Sequence, residues 1–354
     1  MAGNPVETDP DSGAQIYHLG ADPRPADNIY GEQPYGDPTG RWIAVRYYGQ
    51  GDQPGGISVL DLADGSLREA MSGGPPFPAF HAWGEQLYWA ETVGGELRLR
   101  RCPYATAEAE DVAPLPPDRG RYSYGTVSPD GRYYAVSVAE SSGAPSNVHL
   151  LDIETGQWRL MLDKPGYHAK HEQFSGDGRN CVLIQLNQHP ETKQVLLGEI
   201  PLEGPARLFP ADLPYTPRPT GHEAWIGDSD RVFFSTSRNA DGPGNVWAAK
   251  AGEDAAELVY SGASRFGHIS VSRCGRYWIG DAGGEEGVPI YAGSFASGRC
   301  ARAVFSRTVH DGKQWSHTHP YLTADNQWLV FGSSRNGHPQ VYGAKLAPGW
   351  LGSI

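Results

Sequence analysis

Short apolar runs rich in Val, Ile, Tyr, Phe and Trp alternate along the chain with clusters of Gly, Asp, Asn and Pro, and helical periodicity is hard to find. That pattern predicts an all-β fold. The runs also recur in a set order. Tyr124-Gly-Thr-Val127 passes through Ser-Pro-Asp-Gly into Arg-Tyr-Tyr-Ala-Val-Ser-Val, and the same plan starts at His171, His222, His268 and His319. Each copy reads as a short strand, a polar turn and a more apolar second strand. A third strand follows, near Asn147, Gln194, Asn245, Pro289 and Gln340. Weaker copies begin near Gly36 and Phe80. The units recur roughly every 45–50 residues, the period of four-stranded propeller blades, and seven of them predict a seven-bladed β-propeller. The last unit runs short of residues, so Gln15-Ile-Tyr-His-Leu is expected to add its outer strand and close the ring. A large β-sandwich or several small β-domains would also be all-β, but even spacing without linkers favours the propeller.

Aligning the units on their first turn brings His171, His222, His268 and His319 to one position, three residues ahead of Phe174, Trp225, Val271 and Leu322. Tyr124 holds that position one unit earlier. With 12 histidines in 354 residues, four in one register demand a common cause. The first strand of a propeller blade lines the central channel, so the register predicts a ring of imidazoles at one mouth. The last copy is preceded by Gln314-Trp-Ser-His317-Thr-His319. Residues i and i+2 of an extended chain share a face, so His317 and His319 are expected to aim at one point with Gln314 in reach. Imidazole suits Zn, Cu, Fe, Ni or Mn. The plainer alternative is that these histidines only hydrogen-bond neighbouring blades, and their number weighs against it.

Length and composition sharpen this picture only at its edges. A repeat ring can use residues 1–354 as one domain, with 1–15 as a flexible N-terminal tail. The net charge of −12 and the lack of a basic run exclude nucleic acid as a natural partner. An acidic sugar would need local positive charge. The four cysteines form no CxxC pair, which predicts reduced thiols. The N-terminus is polar and acidic without an apolar signal core, and no apolar stretch is long enough to span a bilayer. A soluble, cytoplasmic monomer or homodimer without a membrane partner is expected. No serine-nucleophile motif, phosphate loop or dinucleotide fingerprint occurs. Paired carboxylates for glycoside hydrolysis are not what the channel register carries.

The chain resembles the oligogalacturonate lyases, cytoplasmic seven-bladed propellers of pectin breakdown. The resemblance rests on Gln314-x-x-His317-x-His319, Gly267-His268, Gly221-His222-Glu223-x-Trp225 and the order of the blades. It implies His268, Gln314, His317 and His319 as ligands of a divalent metal, Mn2+ first, with Zn, Ni, Fe or Ca also admissible. It implies His222 as the catalytic base and an acidic oligosaccharide as substrate. One motif departs from the family. The arginine expected on the blade before His222 is missing, and that strand reads Glu191-Thr-Lys193-Gln194. Lys193 and Arg218 are the nearest cations in sequence, and the departure bears on which uronate is bound.

The implied chemistry is coherent. A uronate lyase takes the C5 proton, α to the C6 carboxylate, and expels the sugar at O4. A cation held by neutral ligands keeps its full charge for that carboxylate, and an unprotonated imidazole works as base near neutral pH. Arg238 and Arg335, in matching Ser-Arg-Asn stretches, could fork onto a carboxylate, although pairing within a repeated motif competes with that role. His171 and Tyr124 could contact the sugar, with inter-blade bonding and channel packing as their alternatives. The reading is a metal-dependent lyase for uronic-acid oligosaccharides. The rivals are a lyase for another linkage, such as one containing glucuronate, and a non-catalytic TolB-like binding propeller.

Overall fold

The computed structural model describes residues 4–20, 22–51, 53–73, 77–116, 120–141 and 144–354. The described residues form antiparallel β-meanders with two single 3-10 turns, Gln314–Ser316 and Leu351–Ser353, and no α-helix. The arrangement is all-β and propeller-like. Ala26–Asp27, Trp42–Tyr47, Gly56–Asp61 and Leu67–Ser72 make one four-stranded sheet. Three more begin with Tyr167–Phe174, Pro219–Trp225 and Ile269–Val271. A nine-stranded sheet consists of two meanders whose leading strands pair in parallel, Thr126 opposite Phe80 and Val127 opposite His81. In the remaining sheet Gln15–Leu19 runs antiparallel to Gln340–Lys345, with Gln15 opposite Lys345 and Leu19 opposite Val341. An N-terminal and a C-terminal strand therefore share one sheet.

The apolar pattern explains which strands lie where. All six residues of Gly56–Asp61 and of Trp328–Ser333 are buried, as strands covered on both faces must be. Outer strands such as Gln157–Leu162 are partly open. The core lies between sheets. Ala44, Ile57 and Val59 meet Phe80, Leu87 and Trp89 of the next meander, and Ala224, Phe233 and Val246 meet Ile269 and Trp278. Each fully buried side chain of this size contributes about 2 kcal/mol. The recurring turns close as Asx turns, with Asp130, Asp177 and Asp325 accepting the backbone N–H two residues on. No helix of the described residues is long and apolar enough to cross a membrane.

Two features differ from expectation. Residues expected in a flexible tail over 1–15 are partly built into the sheet: Glu7–Thr8 pairs with Gln15–Ile16, Arg335 holds Glu7 and Arg302 holds Asp9. Residues 1–3 lie outside the described set. The other difference is at the centre. The segment from Asn28 to Gln33 runs against the leading ends of three distant meanders. Asn28 donates to the His319 carbonyl (2.6 Å), Glu32 meets His222 (2.9 Å) and Gln33 donates to the Glu172 carbonyl (2.7 Å). Gly31 permits this. A Cβ there would stand 2.7 Å from the His319 carbonyl carbon, inside van der Waals contact.

Candidate metal centre and active site

The His317–His319 pair is not an extended strand, as the spacing alone suggested. Gln314–Ser316 is a single 3-10 turn, His317 is extended and His319 sits at φ +39°, ahead of the strand Tyr321–Leu322. The left-handed residue does what strand alternation was expected to do. The two rings lie 5.5 Å apart, tilted by only 26°. The Gln314 side-chain nitrogen is 3.0 Å from His319 Nε2. Exchange of the amide's N and O, indistinguishable in shape, would present an oxygen instead.

His268 precedes the strand Ile269–Val271. Asp281 fixes it twice, accepting its backbone N–H at 2.9 Å and meeting Nδ1 at 2.7 Å. The other nitrogen, Nε2, lies 3.2 Å from His317 Nδ1. His268, His317 and His319 each offer a ligand atom, all within 4.8 Å of one another. Nitrogens about 2 Å from one ion in a tetrahedral arrangement stand roughly 3.3 Å apart, a spacing the His268–His317 pair already has, and three imidazoles are a donor set that suits a divalent cation. Its electrostatics agree. Burial pushes His317 down to about 4 and His319 down to about 3, leaving both rings neutral as ligands must be. His268 is raised, because Asp281 outweighs the effect of burial. A carboxylate behind a ligating imidazole is the usual outer partner of a metal site.

His222 and His171 are aimed by irregular backbone. The pairing of Pro219–Trp225 slips between Pro219 and Glu223, and that of Tyr167–Phe174 slips between Lys170 and Gln173. Such bulges re-aim side chains. His171 has φ +61°. The His222 ring is 4.6 Å from that of His268 and 6.3 Å from that of His171. Its Nδ1 meets Glu32 at 2.9 Å. Burial lowers the His222 pKa, against the opposing pull of Glu32. Burial would raise Glu32, but His222 and His319 together draw it well below the usual carboxylate range.

Beside this cluster lies a groove of about 710 Å³, lined by Lys170, Arg218, Arg238 and Arg265, with Glu285 as the one carboxylate among the described lining residues. It starts one residue from His171 and two from His222, at Lys170 and Thr220. Local positive charge is thus gathered on a chain of net charge −12.

The structure brings together His171, His222, His268, Gln314, His317 and His319, and it puts Arg218 and Arg238 in the groove. Tyr124 lies at the edge, its hydroxyl held by Arg46 at 2.6 Å and its ring 6.2 Å from Tyr30. Two candidates fall elsewhere. Arg335 spends its guanidinium on Glu7 and on the Phe305 and Ser306 carbonyls. Lys193 is exposed and paired with Glu191 at 2.7 Å. Four site residues escaped the sequence reading: Glu32, Asp281, Lys170 and Arg265. His310, with its ring 5.6 Å from His317, could have been suspected from lying four residues before Gln314. Glu32 carried no signal, since the contact that matters spans 190 positions.

No protein-family model matches the sequence, and no curated protein sequence matches it. An oligogalacturonate lyase in complex with manganese superposes with a TM-score of 0.77 at 18% identity, covering 97% of this chain and 96% of the other. The fold is that of the oligogalacturonate lyases. The oligogalacturonate lyase of Vibrio parahaemolyticus gives 0.75 at 15% identity with the same coverage. The β-propeller domain of the trilobed protease from Pyrococcus furiosus is less similar, at 0.53 and 9% identity over 90% of this chain and 97% of that one.

Proposed function

We propose that this protein is a metal-dependent lyase that cleaves short uronic-acid oligosaccharides, of the oligogalacturonate kind, by β-elimination. In this reading the fold is a seven-bladed propeller whose last blade takes Gln15–Leu19 as its outer strand, a view supported by the pairing of that strand with Gln340–Lys345. The observation that carries the reading is the meeting of a neutral, carboxylate-held imidazole with a three-histidine cluster, the His222 and His268 rings lying 4.6 Å apart.

His268, Gln314, His317 and His319 would hold the cation. A bound divalent metal, Mn2+ first, supplies positive charge that offsets the C6 carboxylate and makes the C5 proton easier to remove. The remaining work falls to side chains. Glu32 accepts from Nδ1 of His222, which leaves Nε2 to take the C5 proton. The C5–H electron pair becomes the C4=C5 bond, and the C4–O4 bond breaks. Lys170, Arg218, Arg238 and Arg265 would bind the carboxylates of flanking sugars. This groove charge comes from other residues than Lys193, which stands paired with Glu191 at the surface.

The test is a panel of galacturonate and glucuronate oligosaccharides incubated with metal-loaded protein. Ultraviolet absorbance of a 4,5-unsaturated product is expected, its loss on chelation, and its loss in His222→Ala. Absence of product across the panel would leave a non-catalytic binding propeller as the better account, whereas product from glucuronate linkages alone would move the substrate assignment.

A further inference from the structure

The elimination just proposed has two ends, and this inference rests on that reading. One proton leaves C5, and the departing O4 must gain one or leave as an alkoxide. His222 accounts for the first. We propose that His171, held by Glu223, is the general acid that protonates the departing oxygen.

The first observation is a buried carboxyl group without a hydrogen bond. Glu223 is 0% exposed, and neither of its carboxylate oxygens has a hydrogen-bond partner. An isolated carboxylate in such a place is costly. The charge-bearing side chain that faces it is His171, whose Nδ1 lies 3.4 Å from Oε1. A facing carboxylate compensates the positive ring that a proton donor must be. It also directs Nδ1 inward and leaves Nε2 as the nitrogen free of that contact. The distance is long for a hydrogen bond, and catalytic contacts commonly tighten when substrate binds.

The second observation is the backbone. His171 adopts φ +61° inside a bulge. A left-handed conformation is unfavourable for a non-glycine residue and persists where the surroundings impose it. The third is connectivity. Glu223 directly follows His222 on one strand. The two side chains meet different partners, His222 meeting Glu32 and Glu223 meeting His171, so the His-Glu dipeptide can serve both ends of the reaction: His222 as base, Glu223 behind the acid of the neighbouring meander. His222 has its own buried carboxylate, Glu32, so two imidazole–carboxylate pairs stand side by side.

The spacing suits the task. The ring centres of His171 and His222 lie 6.3 Å apart, which leaves room for adjacent carbons of one sugar between them, each nitrogen approaching its atom to about 3 Å. The His171 side chain is 16% exposed and so reachable from the mouth. The step balances: C5 loses its proton to His222, the C5–H pair forms the C4=C5 bond, the C4–O4 pair goes to oxygen, and that oxygen takes the His171 proton to become a hydroxyl. Solvent then resets both rings.

The experiment compares wild type with His171→Gln, metal-loaded, on a digalacturonate and on a 4-deoxy-4-fluoro uronoside, whose fluoride leaves without needing a proton. Exchange of the C5 hydrogen is followed in deuterated water. The expected result is a fall in kcat of roughly 10²- to 10⁴-fold on the sugar leaving group, with fluoride release within a few-fold of wild type and C5 exchange retained. Glu223→Gln should show the same selectivity in milder form. Equal loss on both leaving groups, or a raised KM at unchanged kcat, would overturn the assignment and make His171 a binding residue. Wild type that acts on neither substrate would overturn the lyase reading and this inference with it.

Discussion

At the residue scale, carboxylates set which nitrogen faces outward in two of the imidazoles. Asp281 does this for His268 and Glu32 for His222. Glu32→Gln keeps an acceptor toward Nδ1 but removes the charge. It should lower kcat about 10- to 100-fold while KM changes little, measured by initial rates at saturating metal. The titration of the clustered histidines has a consequence for stability. In an unfolded chain an imidazole takes up its proton near pH 6.5. Burial holds His317 to about 4 and His319 to about 3 in the folded protein. Between those values and 6.5 the unfolded state binds more protons, so these rings contribute stability above pH 6.5 that is lost as pH falls. His268 is shifted upward and works in the opposite sense. Metal-free protein should therefore melt at a lower temperature at pH 5 than at pH 7, and His317→Gln should narrow that gap. A gap of equal size in the variant would remove His317 from the explanation.

At the element scale, irregular pieces position the chemistry and regular strands support them. The bulges at His171 and His222, the 3-10 turn at Gln314–Ser316 and the segment Asn28–Gln33 bring groups from four parts of the chain to one point. Gly31→Ala tests the last of these. The added Cβ would lie 2.7 Å from the His319 carbonyl carbon and 2.9 Å from its oxygen. The backbone must shift, and His319 with it. Calorimetric metal titration should show an affinity loss of about 10-fold or more, on the scale of outer-contact changes at metal sites. The cooperative melt should remain. Unchanged affinity would mean that His319 is held without this segment.

At the scale of the whole molecule, two further outcomes are expected. Ile16 is fully buried and pairs with Ala344. Ile16→Asp loses about 2 kcal/mol of burial and adds an unpaired charge. If the N-terminal strand belongs to one cooperative body, the entire transition should move to lower temperature. A separate early transition would argue that the strand is an accessory. The groove gives the second outcome. Its four cations stand on a molecule of net charge −12, so their attraction for an anionic sugar is local and screened by salt. KM should rise with ionic strength, and Lys170→Ala should flatten that dependence.

The sequence by itself determined the all-β class, the repeat period and the register that aligns His171, His222, His268 and His319, because strand and turn preferences are local and a repeat prints them at regular intervals. The Gln314, His317 and His319 cluster was legible for the same reason: its members lie within six residues. Only the tertiary structure decided what each imidazole faces. Glu32 reaches His222 across 190 positions, Asp281 lies on a strand with no mark of its role, and the groove is lined by Lys170 and Arg265 rather than by Lys193 and Arg335. Contacts between distant segments depend on how the sheets pack together, and no local pattern encodes that. The left-handed turn at His319 belongs to the same class. The spacing said that two rings would converge, and the packing of Gly31 and Asn28 behind them decided how.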